Sequence, residues 1–326
     1  MHPAFSVIFL TTLIGAGQGV FLATFTAESY AAFDLLPAVD PDFLIAGSLS
    51  AFLLLMAGLV ASFFHLGRPE RAWRAAAQWR TSWLSREVLA LPAFSGIVAL
   101  YGLSHFTGIN PTLATLPSGA PVQLSAVLGV LGTLLGFVLF ICTAMIYACL
   151  RFLREWHTPL TVINYILLGG ASGFTLAAAL AARLAPNLAG FFAGWALLIT
   201  LCGLVSRTAT LIRNRRLKPR STTQTAIGIK HPRIVQKTQG AMGGSFNTRE
   251  FFHGRTATFL RSIKWIMVAC AFIVPAALLA AAGGSGFASA ALLALAFLIQ
   301  YLGLLAERWL FFAQANHPQN LYYQCV

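Results

Sequence analysis

Charged residues are scarce in this chain of 326 residues. Asp, Glu, Lys and Arg together make up 10% of it, against about a quarter of an ordinary soluble domain. Hydrophobic residues make up 58%, so lipid rather than water is the expected solvent. Lipid cannot hydrogen-bond to the backbone, so apolar runs cross a membrane only as helices or as a closed barrel. The runs here are too long for barrel strands and do not alternate, which predicts helices.

Metal and haem motifs are also missing. The five cysteines include no CxxC pair and no close cluster that could bind zinc or an iron–sulfur cluster. None of the seven histidines falls at the middle of an apolar run, where axial ligands of a membrane haem are expected. We therefore predict no haem and no metal in this chain, with a haem-bearing cytochrome subunit as an alternative. No apolar run carries a buried acidic and basic pair of the kind that marks an ion or proton path through the bilayer centre, which disfavours a pump or ion channel and leaves a membrane transporter as a weaker alternative.

Eight apolar runs reach the roughly 20 residues that a membrane-spanning helix requires. A Gly-Gly-Ser-Gly segment at 283–286 divides the last two runs, and it suits a tight turn. The sequence predicts an all-α integral membrane protein with eight transmembrane helices in a bundle, forming a single membrane domain over 1–326. The predicted spans are 5–27, 43–64, 88–106, 123–150, 159–182, 188–211, 263–283 and 287–310.

Positive charge is sorted to one side of this arrangement. With eight spans, both termini and the connections after spans two, four and six share a side. All of the 22 Lys and Arg residues except Arg183 fall there. The other side carries the acidic residues Glu28, Asp34, Asp40 and Asp42. Positive residues stay in the cytoplasm, so we predict a multi-pass protein of the bacterial cytoplasmic (inner) membrane, with both termini and the 212–262 loop in the cytoplasm.

The connection between spans two and three holds the densest group of candidate site residues. His65 ends one helix and Glu87 begins the next, so both can face one pocket at the edge of the hydrocarbon. A quinone needs such a place, because it requires an apolar groove, donors for its oxygens and a proton route to water. Histidine exchanges a proton near neutral pH, and a nearby carboxylate can relay it. The candidate quinone-binding residues are His65, Arg68, Arg71, Trp83, Glu87 and, in span one, Gln18.

Each of these residues also has a simple structural explanation. His65 could satisfy free carbonyls at a helix end, and Glu87 could complement a helix N-terminus. The arginines and Trp83 could be ordinary anchors at the membrane interface. Gln18 and Asn164 are polar residues inside spans and lie beside glycines, where close helix packing is the default explanation and a pocket lining is the alternative.

A long basic loop separates spans six and seven, at 212–262. Contact with anionic lipid is one explanation of its charge. Its second half adds aromatic residues among glycines, which favours a protein interface, so we predict docking of a cytoplasmic partner. The docking residues predicted are Arg249, Phe251, Phe252 and His253. No nucleic-acid partner is predicted.

The segment His65-Leu66-Gly67-Arg68-Pro69 with Ala72, followed by Ser85-Arg86-Glu87, resembles the membrane anchor subunits of the dimethyl sulfoxide reductase family. The eight spans and the pair Glu307-Arg308 in the last span match as well. The resemblance implies a heterotrimer of this anchor with an iron–sulfur, ferredoxin-like subunit and a molybdopterin catalytic subunit. It also implies a haem-free anchor that exchanges electrons with ubiquinone or menaquinone, with His65 and Glu87 at the quinone site. Molybdenum chemistry would lie outside this chain.

Within that family, the long basic loop is similar to anchors of the cytoplasm-facing sulfite dehydrogenase. By that resemblance, the complex is expected to oxidise sulfite and to deliver the electrons to quinone. The alternative is a quinol-oxidising anchor of a dimethyl sulfoxide reductase-like enzyme, in which electrons flow the other way.

Overall fold

The computed structural model describes residues 5–115, 121–218, 222–235, 256–282 and 287–315. Eight of its helices are long and apolar enough to cross a membrane, which confirms the predicted all-α membrane fold. Each helix overlaps one of the predicted spans. They are α1 (Phe5–Ala32), α2 (Pro41–Phe63), α3 (Trp83–Thr107), α4 (Leu124–Ala148), α5 (Pro159–Leu184), α6 (Ala189–Arg215), α7 (Ala257–Ala281) and α8 (Phe287–Ala313).

Local capping sets several helix boundaries. The Asp40 side chain accepts a hydrogen bond from the Asp42 amide, and Pro41 occupies the first position of α2, where its missing N–H costs nothing. Ser82 caps α3 in the same way by accepting from the Ser85 amide. The helix therefore begins five residues before the predicted span and carries Glu87 inside its second turn. Gly108, at φ 69°, ends α3 in a left-handed conformation.

Helix α1 is longer than the predicted span 5–27 and contains Glu28. Helix α1 continues to Ala32. The Glu28 side chain is mostly covered, and the Tyr101 and Ser125 hydroxyls donate to its carboxylate at 2.5 and 2.6 Å. A charged residue can therefore lie inside a spanning helix when neighbouring helices supply its hydrogen bonds.

Helices α1 and α5 form the centre of the bundle and cross at glycines. A Cβ atom on Gly19 would clash with the Gly169 carbonyl, and one on Gly173 would clash with the backbone of Gly19. Small residues let two helix backbones approach this closely, which membrane helices use in place of a hydrophobic driving force. The packing role of the glycines around Gln18 and after Asn164 is thus confirmed.

Helix α7 contains a π-helical segment, Ala269–Ile273, against which α8 packs. A Cβ atom on Gly303 of α8 would meet the backbone of Cys270 and Ala271. Such a segment widens the helix and loosens its regular hydrogen bonds. The Gln300 amide donates to the Ala271 carbonyl at 3.4 Å and to the Thr200 hydroxyl at 3.0 Å, which ties α6, α7 and α8 together.

The connections are mostly short. A 3-10 helix, Pro69–Gln78, lies between α2 and α3. An antiparallel pair, β1 (Thr112–Thr115) with β2 (Pro121–Gln123), lies between α3 and α4. Helix α6 runs to Arg215 and α7 begins at Ala257, so the loop between them is shorter than the predicted 212–262, and a short helix, Thr223–Ile227, lies in it. The predicted docking residues Arg249, Phe251, Phe252 and His253 lie outside the described residues.

Candidate functional site

The α2–α3 connection, residues 64–82, marks what we call the basic end of the bundle. Its arginines, Arg68, Arg71, Arg74 and Arg80, are exposed. Arg71 contacts Glu70 at 3.9 Å, but both side chains are at least half exposed, so this pair stabilises the fold little. Arg68 and Arg71 are therefore available to anionic lipid or to a partner.

His65 follows the last turn of α2, where its amide donates to the Ser62 carbonyl at 3.3 Å. The imidazole is exposed, and among the described residues no hydrogen bond or ion pair of its side chain is found. Its neighbours cover part of the ring, and this partial burial lowers the pKa of the His65 imidazole. The ring is therefore mostly neutral at pH 7 and presents both a donor and an acceptor nitrogen.

Trp83 begins α3 and is held by Arg86. The Arg86 guanidinium lies 4.2 Å from the centre of the Trp83 ring. It also donates to the carbonyls of Trp79 and Arg80 at 2.9 and 2.7 Å. These contacts fix the end of the connection against the start of α3, so Trp83 has a structural role here whether or not it contacts a ligand.

Glu87 points into the bundle and is 8% exposed. The Thr143 hydroxyl of α4 donates to its Oε1 atom at 2.5 Å. No hydrogen bond or ion pair between Glu87 and His65 is found within the described part of the chain. The structure thus places both residues at the basic end, with His65 outside and Glu87 inside, rather than in direct contact.

Gln18 lies near the middle of α1 and is buried. Its amide donates to the Gly136 carbonyl of α4 at 2.7 Å. Gln18 lines a small cavity. The Asn164 amide donates to the Thr210 hydroxyl of α6 at 2.9 Å, and Asn164 is not among the residues that line this cavity. The cavity has a volume of about 10 Å³ and is also lined by Thr11, Thr12, Thr143, Tyr165 and Arg308.

A buried ionic cluster adjoins this cavity through Arg308, which is one of its lining residues. The Arg207 Nε atom lies 2.9 Å from one oxygen of Glu307, and an Arg308 nitrogen lies 3.0 Å from the other. All three side chains are at most 5% exposed. The Arg308 guanidinium also covers the Tyr165 ring, 3.7 Å from its centre.

The sequence excludes only charged pairs that mark an ion or proton path through the bilayer centre, and this buried cluster near the ends of α6 and α8 was not predicted. Arg207 lies near the end of the predicted span 188–211, and Glu307-Arg308 lie near the end of the predicted span 287–310. Because α6 continues to Arg215 and α8 to Ala313, both lie inside the bundle. A helical spacing pointed to this: Gln300 and Glu307 are seven residues apart and share a face of α8.

A second polar cluster lies at the opposite end of the bundle, around Glu28. Besides the Tyr101 and Ser125 hydroxyls, the His105 Nε2 atom lies 3.5 Å from its carboxylate. An apolar groove of about 350 Å³ lies in the same half of the molecule, between α2 and α3, and Phe52 and Phe106 are among its lining residues. Its lining residues belong to the first half of α2 and the second half of α3, whereas His65 follows the end of α2 and Glu87 lies at the start of α3.

No group of three His, Cys, Asp or Glu side chains suited to a metal ion is present among the described residues. Eight apolar helices that enclose charged side chains define an integral membrane protein whose interior is partly polar. The chain belongs to the family of DMSO reductase anchor subunits (DmsC), whose family model matches residues 1–314. It is therefore a membrane anchor subunit of an oxidoreductase complex.

A curated relative is similar over the whole length. The chain is 56% identical over 326 residues to a subunit of the sulfite dehydrogenase of Allochromatium vinosum, with complete coverage of both proteins. The resemblance predicted from the His65–Glu87 stretch and from the basic loop is confirmed at the level of the family and of this relative.

Proposed function

We propose that this anchor passes electrons between an iron–sulfur subunit and the quinone pool, and that quinone binds at the basic end beside His65 and Glu87. The anchor family supports an electron-transfer role, since a membrane subunit of an oxidoreductase complex lies where quinone is dissolved.

The observation that carries the proposal is the buried carboxylate of Glu87. One of its oxygens accepts from Thr143, and no hydrogen bond to the other is found among the described residues. An isolated carboxylate at a membrane edge is costly unless it serves a purpose. Glu87 can hold a proton for a quinone oxygen, and the neutral imidazole of His65 can donate a hydrogen bond to such an oxygen.

The other candidates have secondary roles in this proposal. Trp83 forms the aromatic wall at the start of α3, and Arg68 and Arg71 supply positive charge at the entrance. Gln18 does not contact the quinone directly, because its amide is engaged with Gly136 and it lies deeper in the bundle.

We propose sulfite as the substrate of the whole complex, with electrons flowing to ubiquinone or menaquinone. The full-length relative named as a sulfite dehydrogenase subunit supports this direction. A molybdopterin catalytic subunit would oxidise the sulfite, and a ferredoxin-like subunit would carry the electrons to this chain. A second candidate is an anchor that oxidises quinol for a DMSO reductase-like enzyme. The description of the matching family, DMSO reductase anchor subunits, supports this candidate.

The proposed orientation puts the basic end in the cytoplasm of a bacterium, with the anchor in the inner membrane. Sorting of the positive charges supports it. The loop between α6 and α7, with Arg249, Phe251, Phe252 and His253, would then face the cytoplasm and dock the iron–sulfur subunit.

The test uses the assembled complex in membranes. His65→Ala and Glu87→Gln are expected to abolish sulfite-dependent quinone reduction, because each removes a group that binds or protonates the quinone. Sulfite-dependent reduction of an artificial dye should persist, since the dye takes electrons before the quinone. Glu70→Gln is the matched control, because it neutralises an exposed carboxylate in the same connection.

Loss of dye reduction together with quinone reduction would mean that the variants fail to assemble. Normal quinone reduction in both variants would refute the proposed quinone site. Sulfite-independent activity with DMSO as electron acceptor would favour the quinol-oxidising candidate.

A further inference from the structure

The 3-10 helix of the α2–α3 connection, Pro69–Gln78, presents three lines of side chains. Such a helix has three residues in each turn, so residues three apart lie on one line along it. One line carries Ala72 and Ala75, which are half-buried against the protein. On the other two lines, every residue except the half-buried Ala76 is exposed. These two lines therefore face away from the bundle.

Tryptophans follow one of the exposed lines, and arginines follow the next. Trp73 and Trp79 are six residues apart, which is two turns. Arg74 and Arg80 have the same spacing on the neighbouring line. The helical conformation continues to the second pair, because Trp79 has φ −59° and ψ −24°, as in a 3-10 helix. The two tryptophans are 71% and 52% exposed, so two large rings lie uncovered beside two cations.

Each arginine is held against the tryptophan that precedes it. The Arg74 guanidinium lies 5.5 Å from the centre of the Trp73 ring, and the Arg80 guanidinium lies 5.4 Å from that of Trp79. Both distances are within the range of cation–π attraction, which keeps the charge at the level of the ring. Arg86 also donates to the carbonyls of Trp79 and Arg80, at 2.9 and 2.7 Å, so the second pair is fixed to the start of α3.

The position of the connection puts these pairs at a membrane surface, because it joins the end of one spanning helix to the start of the next. Tryptophan prefers the depth of the lipid headgroups, since its ring is apolar and its indole N–H is polar. Arginine binds phosphate with two parallel hydrogen bonds. An arginine held at the level of such a ring therefore meets the phosphate groups of the lipid.

We propose that the pairs Trp73–Arg74 and Trp79–Arg80 bind the headgroups of two anionic phospholipids in the leaflet at the basic end. Six residues of 3-10 helix cover about 12 Å, at about 2 Å for each residue, so the two pairs bind separate headgroups. In each pair the guanidinium binds the phosphate, and the tryptophan ring packs beside the lipid. The inference does not depend on the proposed quinone site.

Charge complementarity selects an anionic lipid. The connection, residues 64–82, carries four arginines and a single acidic residue, Glu70. A zwitterionic headgroup brings its own cation, which this excess of positive charge repels. The bilayer is also the neighbour that this position guarantees. A partner subunit in water would have to reach cations that the tryptophan rings hold at the depth of the headgroups.

The test measures lipid binding to the assembled complex after purification in detergent and removal of lipid. Phosphatidylglycerol is the anionic probe and phosphatidylcholine the neutral one, and native mass spectrometry counts the bound lipids. Arg74→Gln combined with Arg80→Gln removes both guanidinium groups and keeps the tryptophans. Arg215→Gln combined with Arg216→Gln is the matched control. It removes the same charge from exposed residues at the end of α6, where no contact of either with an aromatic ring is found among the described residues.

The unmodified complex is expected to bind phosphatidylglycerol at both pairs, and more tightly than phosphatidylcholine. A basic residue near the membrane surface strengthens binding of anionic lipid about fivefold, so the Arg74 and Arg80 double variant should lose about 25-fold in affinity. Arg74→Gln alone should lose one lipid and keep the other. The control should stay within about twofold of the unmodified complex. Trp73→Leu keeps the charge and should weaken the first site by about two- to fivefold, because the ring no longer holds the guanidinium.

Unchanged binding of phosphatidylglycerol in the Arg74 and Arg80 double variant would overturn the proposal. An equal loss in the Arg215 and Arg216 control would also overturn it, since that result shows a general attraction by the basic end. Equal binding of phosphatidylcholine would exclude recognition of an anionic headgroup. Loss of the partner subunits from the Arg74 and Arg80 variant, with normal lipid binding, would assign these arginines to a protein interface instead.

Discussion

Arg207 of α6 and Glu307 of α8 form an ion pair of 2.9 Å with both side chains almost completely buried. The second oxygen of Glu307 is held by Arg308, so one carboxylate offsets the charge of two guanidinium groups. Removal of one member of a buried pair is costly, because the remaining charge stays in the low-dielectric interior without a partner.

Glu307→Gln is therefore expected to lower the free energy of unfolding by about 3–5 kcal/mol. The amide leaves two buried positive charges without their counter-ion. Thermal unfolding of the purified complex in detergent measures the effect, together with the yield of assembled complex.

Glu70→Gln is the control for this change. Glu70 contacts Arg71 at 3.9 Å, and both side chains are exposed. Such a pair contributes at most about 1 kcal/mol. Equal stability of the Glu70 and Glu307 variants would show that the buried cluster is not a stabilising element.

Gly19→Ala should disrupt the crossing of α1 and α5. The new Cβ atom would clash with the Gly169 carbonyl, and backbone cannot move aside as a flexible side chain does. We expect a loss of about 1–3 kcal/mol or more, as is usual for overpacking.

Gly194→Ala provides the comparison, since nothing lies within 4 Å of a Cβ atom on that exposed residue of α6. Thermal unfolding of the two variants should differ clearly. A Gly19→Ala protein as stable as Gly194→Ala would mean that the two helices do not cross at these glycines.

Tyr101→Phe should weaken the Glu28 cluster without affecting quinone chemistry. The variant loses a hydrogen bond of 2.5 Å to a carboxylate, and a bond of this type contributes about 1.5–3 kcal/mol. Quinone reduction per assembled complex should be unchanged, because the cluster lies at the end opposite Glu87.

Tyr30→Phe is the matched variant. Its ring contacts Phe191 with centroids 5.6 Å apart, and that contact survives the change. If Tyr101→Phe abolishes quinone reduction while the complex remains assembled, the two ends of the bundle are functionally coupled.

The orientation can be tested with single cysteines at Thr112, in β1, and at Thr222, before the short helix of the α6–α7 loop. Both positions are exposed. A thiol reagent that does not cross the inner membrane should label Thr112→Cys in intact cells, whereas Thr222→Cys should react only after the membrane is opened.

Peptide mass spectrometry separates these sites from the native Cys149, which is also exposed and lies at the basic end. Labelling of Thr222→Cys in intact cells would reverse the proposed orientation and remove the cytoplasmic docking loop with it.

The eight spans follow from the sequence alone. Whether a segment can cross the membrane depends on the hydrophobicity of that run of about 20 residues and not on its contacts with other helices. The sequence also determined the sorting of positive charge and, through the short stretch from His65 to Glu87, the family. It predicted helix ends less well: α1 continues beyond the predicted 5–27 and includes Glu28, because partners on other helices compensate the charge of that residue.

Only the tertiary structure decided which polar residues meet. Thr143 donates to Glu87, Gln18 faces the same cavity as Arg308, and Arg207 pairs with Glu307, although the members of each pair lie far apart in the chain. These contacts depend on the rotation of each helix about its axis. Packing at glycines such as Gly19 and Gly173 sets that rotation. The hydropathy of a span carries no information about it.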